Sequence, residues 1–252
     1  MISRVLAAGL LAGLLAGLAI AVLQAFTTTP LILEAESFEG GHGHDHAQSL
    51  TAASALLQHA VLKTAANGAA LIEIHSAEDA GMWMPEDGLE RTVFTSIANV
   101  GTAIGFALVL LAGMLLAGDR ITETTAIGWA AAGFVATGLS PSLGLSPELP
   151  GMPAADLVSR QAWWLATALC TAAALWLILR SEHGWAKALG VLVLLAPHIW
   201  GAPHLEGHAE SAVPAHLAAQ FTGASLAVHA SLWALSGFFV GFWWRRLAPA
   251  SA

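Results

Sequence analysis

Eleven histidines are spread unevenly along this chain of 252 residues, and their grouping is the first sign of chemistry. Three alternate in Gly40-Gly41-His42-Gly43-His44-Asp45-His46. In an extended backbone every second side chain projects to one side, and glycine lets the chain fold around a shared ion. A second group runs from His198 through His204, Glu206 and His208 to His216. It is entered at Pro197, which removes a backbone donor and is expected to leave a short, broken helix, a frequent construction at transport sites. The third group is one residue. His229 lies about twelve residues inside the last apolar segment, roughly 18 Å deep at the helical rise. Thr222, Ser225 and Ser236 share its helical face by their spacing. Imidazole with carboxylate suits cobalt, nickel, zinc and copper better than magnesium or calcium. The blander readings are a polar linker, a Pro-Gly turn and a packing histidine.

The elements that must position these groups are membrane helices. Hydrophobic residues make up 56% of the chain and charged ones only 10%, with mean hydropathy +0.68. A soluble surface needs about 25% charged residues, so lipid must solvate much of this chain. Six apolar segments approach the length that crosses a bilayer: residues 5–26, 93–117, 124–139, 161–179, 186–200 and 217–244. With the N-terminus inside, Arg4, Arg120, Arg180, Lys187, Arg245 and Arg246 fall on the cytoplasmic side. Lys63, Arg91 and Arg160 remain outside in longer loops, which is the positive-inside pattern. The expectation is one integral-membrane domain over residues 1–252: an all-α bundle of about six transmembrane helices, both termini cytoplasmic, with a long outer loop at 27–91.

In that frame His183 alone is cytoplasmic, while the histidine groups and most acidic residues face outward. Residues 50–74 carry His59, Lys63 and Asn67 as one polar stripe, which suits a helix lying on the membrane surface. Thr92, Thr95, Asn99 and Thr102 form a polar stripe on the second span, expected to face the bundle interior. Trp163, Trp164 and Trp200 at outer ends, with Trp185, Trp243 and Trp244 at inner ends, read as two interfacial belts. Gly9, Gly13 and Gly17 on the first span, and Gly101 and Gly105 on the second, are spaced for close helix packing. The net charge of −8 argues against a nucleic-acid partner. Cys170 is the sole cysteine, so no internal disulfide forms, and it reads as a packing residue. No G-x-x-x-x-G-K-[ST] stretch occurs, so the chain is not expected to hydrolyse ATP or to be an enzyme.

Several blocks carry a resemblance. They are the His-rich segment after the first helix, Trp83-Met84-Pro85-Glu86-Asp87-Gly88-Leu89-Glu90-Arg91-Thr92 before the second, and Pro147-Glu148-Leu149-Pro150-Gly151-Met152-Pro153-Ala154-Ala155-Asp156. Arg160-Gln161-Ala162-Trp163-Trp164, Ala196-Pro197-His198-Ile199-Trp200-Gly201-Ala202-Pro203 and Val213-Pro214-Ala215-His216-Leu217 follow in order. On these the chain resembles the CbtA family of integral-membrane cobalt transporter subunits. The resemblance implies cobalt import linked to cobalamin synthesis, with a small single-span histidine-bearing partner, CbtB. The insert at 50–74 is not inherited from it. Pro85, Glu86 and Asp87 also read as the first turn of the second helix, where proline and carboxylates are favoured.

The function expected is the membrane subunit of a transition-metal uptake system in the bacterial inner membrane, with cobalt as cargo, no intrinsic cofactor, and nickel, zinc and copper as competitors. Capture would fall to His42, His44, His46, His204 and His208, and passage to His198 and His229, with Asn99, Thr222, Ser225 and Glu206 along the path. Two other readings use the same histidines: a redox anchor with His198 and His229 ligating a b-type haem, and a metal-sensing or storage subunit that transports nothing. Beyond the bilayer and that small subunit, a homo-oligomer is compatible with the pattern. A reporter fused after Arg246 is expected to read as cytoplasmic; a periplasmic signal would overturn the orientation and the siting of the histidines.

Overall fold

The computed structural model describes residues 1–38, 85, 88–205 and 211–248. His42, His44, His46, Glu206, His208 and the surface helix expected at 50–74 lie outside the described residues. The elements are α1 (Ile2–Phe26), α2 (residues 28–38), α3 (Leu89–Leu116), α4 (Glu123–Phe134), a π-turn (Val135–Leu139) and α5 (Ser140–Ser142). They continue with α6 (Leu157–Arg180), α7 (Gly184–Trp200) and α8 (Ala215–Arg246). No strand occurs among the described residues. Helices α1, α3, α6 and α8 are long and apolar enough to cross a membrane, and α7 is apolar but only 17 residues long. This is an all-helical membrane protein.

Several helices begin before their apolar run does, because polar first turns carry the caps. Asp156 opens α6 by accepting from the Ser159 N–H, and Thr122 opens α4 in a capping box with Thr125. Two local expectations fail. Pro85 is not in the first turn of α3, which starts at Leu89 behind Gly88 at φ +100°, a conformation glycine adopts without strain. Nor does the outer loop begin directly after α1. Residues 28–38 form α2, whose Leu31, Ile32, Ala35 and Phe38 pack on Leu149, Val213, Leu217 and Phe221.

Packing is inside-out relative to a soluble bundle. On α1 the small residues Ala8, Gly9, Ala12, Gly13, Ala16 and Gly17 are buried, while Leu6, Leu10, Leu14 and Leu18 face outward. Lipid solvates leucine as well as a protein core does, so close backbone approach governs the contact instead. A Cβ on Gly13 would sit 2.3 Å from the Ile104 Cα, and one on Gly17 2.5 Å from the Val100 Cα. The facing row of α3 is therefore Val100, Ile104 and Leu108. Gly101 and Gly105, expected at this contact, have open space around them. A second small-residue contact lies where Gly237 and Gly241 of α8 meet Ala126, Ala130 and Glu123 of α4.

Tryptophans divide between the two roles. Trp200 is 89% exposed, as an interfacial side chain should be, but Trp163 is only 7% exposed. It turns inward to donate to the Pro197 carbonyl at 3.2 Å, so it does not belong to a belt. Pro197 in turn does not break α7. It lies in the final turn, where the helix continues to Trp200 and stops at Gly201, φ +92°.

One end of the bundle is tied by charge. Arg4 donates to the Trp244 carbonyl and lies over its ring, Arg180 pairs with Asp119, and Arg245 pairs with Glu123. The Trp129 N–H and the Arg180 guanidinium hold the Asp119 carboxyl below the usual carboxylate range. That contact therefore stabilises the fold above the ordinary value of about 3.9 and loses its effect as pH falls through the lowered one.

Gly13→Val is expected to destabilise the α1–α3 contact by about 2 kcal/mol or more, since the clash is with backbone that cannot step aside. Gly101→Ala should be neutral or stabilising by up to about 1 kcal/mol, because it meets nothing and improves helix propensity. Thermal unfolding of both variants in detergent checks the pair; equal losses would contradict the assigned interface.

Candidate cation site

The feature that organises the interior is Pro141. It has no N–H to give the Thr137 carbonyl, and its ring crowds that carbonyl. The helix answers by widening: the Ser140 N–H bonds back to the Val135 carbonyl, five residues away. Residues 123–142 thus remain helical but carry a π-turn in their second half. Such turns redirect side chains and are frequent at functional sites.

Here the turn supplies a hydroxyl to each of two histidines. Thr137 Oγ1 lies 3.1 Å from His229 Nε2, and Ser140 Oγ lies 3.1 Å from His198 Nε2. The Trp233 indole N–H, one turn beyond His229 on α8, reaches His229 Nε2 and Thr137 Oγ1, each at 3.0 Å. The indole can only donate, and it shares its one N–H between the imidazole and the threonine hydroxyl, which itself donates to the Gly133 carbonyl at 2.9 Å. Phe106 and Phe134 pack their rings 5.9 Å from the imidazole. Ser140 is itself tied to Thr171 of α6 at 2.9 Å, and Trp163 stands edge-on to His198. Both histidines are therefore held by the π-turn segment, from α8 and from α7.

A cavity of about 620 Å³ opens beside His229. Its walls come from the π-turn, α5, the loop that follows, the start of α6 and the first half of α8. Ser142, Ser146, Gln161 and Ser225 supply neutral polar groups to it, and Glu148 and Arg160 the only charged ones among the described lining residues. Arg160 Nη2 donates to Glu148 Oε2 at 2.5 Å. A second hollow, about 700 Å³, lies between the start of α6 and the end of α7; it is lined by Trp163, Pro197, Trp200, Pro203 and His204. Among the described residues no three His, Cys, Asp or Glu side chains converge as a metal-binding group.

The expected site residues are thus sorted. Ser225 and His229 share the first cavity, while His204 lines the second hollow and its Nδ1 lies 3.4 Å from the Ala202 carbonyl. Thr222 does not orient His229; its hydroxyl bonds to the Ala218 carbonyl at 2.9 Å and to the Pro147 carbonyl at 3.3 Å. Asn99 is not among the lining residues. Its amide donates to Gln24 on α1 at 2.6 Å, and Thr92, Thr95 and Thr102 of its stripe are exposed. Thr137, Ser140, Glu148, Arg160 and Trp233 were not singled out from the sequence as parts of a site. Two signals existed: Trp233 follows His229 by one helical turn, and Pro141 interrupts an apolar run.

Against this geometry the family comparison is decisive. The model of the CbtA family, described as a probable cobalt transporter subunit, matches residues 2–245. The chain belongs to the CbtA family. No curated protein and no solved structure matches it. Family membership with the apolar helices makes this CbtA chain a membrane protein of metal transport, with cobalt as the metal its family description names. A metal in such a system is cargo.

If Thr137 holds the imidazole, Thr137→Val should destabilise this CbtA chain by about 1 kcal/mol, the cost of stripping a half-buried imidazole and indole of their partner. Ser142→Ala, whose exposed hydroxyl serves only the Leu139 carbonyl, should stay within about 0.5 kcal/mol of the parent. Paired thermal melts in detergent distinguish the two, and indistinguishable shifts would deny Thr137 that role.

Proposed function

We propose that the chain is the membrane subunit of a cobalt-uptake system and that the cation passes through the cavity beside His229. The observation that carries this reading is the cavity itself. It joins one half-buried imidazole, one carboxylate and several hydroxyls in a helical bundle of a cobalt-transporter family. Ionisable groups gathered around a cavity of a membrane bundle are costly and point to an ion path. A path must also let go of its cargo. With one imidazole and one carboxylate rather than a closed cage, a passing cation keeps part of its hydration and leaves again.

The reading extends to topology. Arg4, Asp119, Glu123, Arg180 and Arg245 meet at one end of the bundle, as six alternating spans with cytoplasmic termini in the bacterial inner membrane require. The span over residues 123–142 is long enough once the π-turn is counted, at about 30 Å. The opposite end carries His198, His204 and the cavity mouth. Capture of divalent cations falls to His42, His44, His46, Glu206 and His208. A single-span CbtB-like subunit completes the system. Haem ligation by His198 and His229 is the weaker reading, since it accounts for neither the carboxylate in the cavity wall nor a family of cobalt transporter subunits.

His229→Ala is expected to abolish maximal cobalt-57 uptake in cells while the protein still reaches the membrane, because the change strands no charge. Uptake at the parental rate by a well-expressed variant would remove His229 from the path. No uptake by the parent at all would favour a sensing or storage role.

A further inference from the structure

The cavity contains its own cation. Arg160 and Glu148 face each other in its wall, each about a quarter exposed, and no other charged side chain lines it among the described residues. Arg160 is held incompletely. Its Nη2 reaches Glu148, but its Nε–H is buried without a hydrogen-bond partner among the described residues. A guanidinium has five N–H donors in a fixed fork, and a well-seated one engages a carboxylate with two of them. Arg160 is also the fourth residue of α6, in the first turn after the Asp156 cap, so its long side chain can swing toward the bundle end without unwinding the helix.

We infer that Arg160 is a tethered counter-cation which caps Glu148 when the cavity is empty and which the cargo must displace, so that this pair sets affinity and selectivity. This rests on the cavity being the cation path proposed above. The physical logic is a competition for one carboxylate. A lone carboxylate in a largely buried site is expensive, so the cargo-free protein needs a positive charge beside it. A monovalent ion offers Glu148 no more charge than Arg160 already does and gains little by replacing it. A divalent transition-metal ion offers twice the charge, and the cavity that holds Glu148 also exposes the His229 imidazole, a ligand type that magnesium and calcium value less. When the cation takes Glu148, Arg160 is released and repelled toward the outer end. Its return after the cation has moved on restores the pair and resets the site. No proton needs to be taken up or lost in this exchange.

The test is equilibrium binding of cobalt(II) chloride alone to the purified full-length chain, followed by cobalt-57 uptake in cells. Arg160→Gln should lower the half-saturating cobalt concentration about tenfold and let sodium or potassium compete measurably, because the cap is gone and the carboxylate remains. Arg160→Lys, a point charge without the fork, should lower it about threefold; it serves as the readout if the glutamine variant does not fold. Glu148→Gln should raise the half-saturating concentration more than tenfold. An Arg160 that only clamps the loop to α6 would give variants with a lower thermal midpoint and unchanged or weaker cobalt binding, and that result overturns the cap. If Glu148→Gln and His229→Ala both bind cobalt like the parent, the cavity is not the site and the parent proposal fails instead. If those two lose binding but neither Arg160 variant tightens it, the cavity stands and only the cap falls.

Discussion

A missing hydrogen bond organises this molecule. Pro141 cannot donate to the turn behind it, and its ring crowds the carbonyl four residues back. The helix over residues 123–142 absorbs the defect as a π-turn and stays helical. The same widening sends Thr137 to His229 and Ser140 to His198, so one backbone irregularity gives two half-buried imidazoles fixed partners. The cavity beside His229 borders this turn, which forms part of its wall. The irregular stretch thus lines a cavity, with Ala136 and Gly138 buried and Leu139 facing outward.

Around that turn the bundle is held by closeness of backbone. Gly13 and Gly17 bring α1 onto Val100 and Ile104, and Gly237 and Gly241 bring α8 onto α4. Dispersion between tightly fitted surfaces substitutes here for the hydrophobic effect, which has no grip between helices already in lipid. The polar contacts divide by end. Arg180–Asp119 and Arg245–Glu123 close one rim, while Arg91–Glu36 and Arg160–Glu148 stand at the other. Only the last of these borders the cavity. On the proposed path it is also the contact where tying the loop to α6 and handling a cation compete for the same carboxylate.

For a CbtA subunit, the sparse ligand set is a useful property. Three or more imidazoles and carboxylates in one place would hold a transition metal too tightly to release it, in the order set by metal and ligand type. On the proposed path, an imidazole braced by Thr137 and Trp233, and a carboxylate already engaged, would offer binding that is only modestly favourable. Preference for a cation then comes from what it must displace as much as from what it meets.

The sequence alone determined the helical class, the membrane setting and the family, because each follows from composition, local periodicity or ordered motifs. Caps also were local: Asp156 and Thr122 sit beside the turns they close. What tertiary structure decided was partnership. Gly101 and Gly105 have the same spacing as Gly13 and Gly17 yet face open space, since spacing names a helix face and not its neighbour. Asn99 found Gln24 rather than the cavity, and Trp163 turned inward to a carbonyl rather than outward to the interface. Pro197 came at the end of its helix and cost little, while Pro141 came within one and reshaped it. Glu148 lies in a loop and Arg160 twelve positions later on a helix, and nothing periodic relates a loop residue to a helix face. Their pairing exists only because the chain between them folds back. Local rules choose the elements; which side chains share a cavity is settled by how those elements pack, through contacts that no short window of sequence contains.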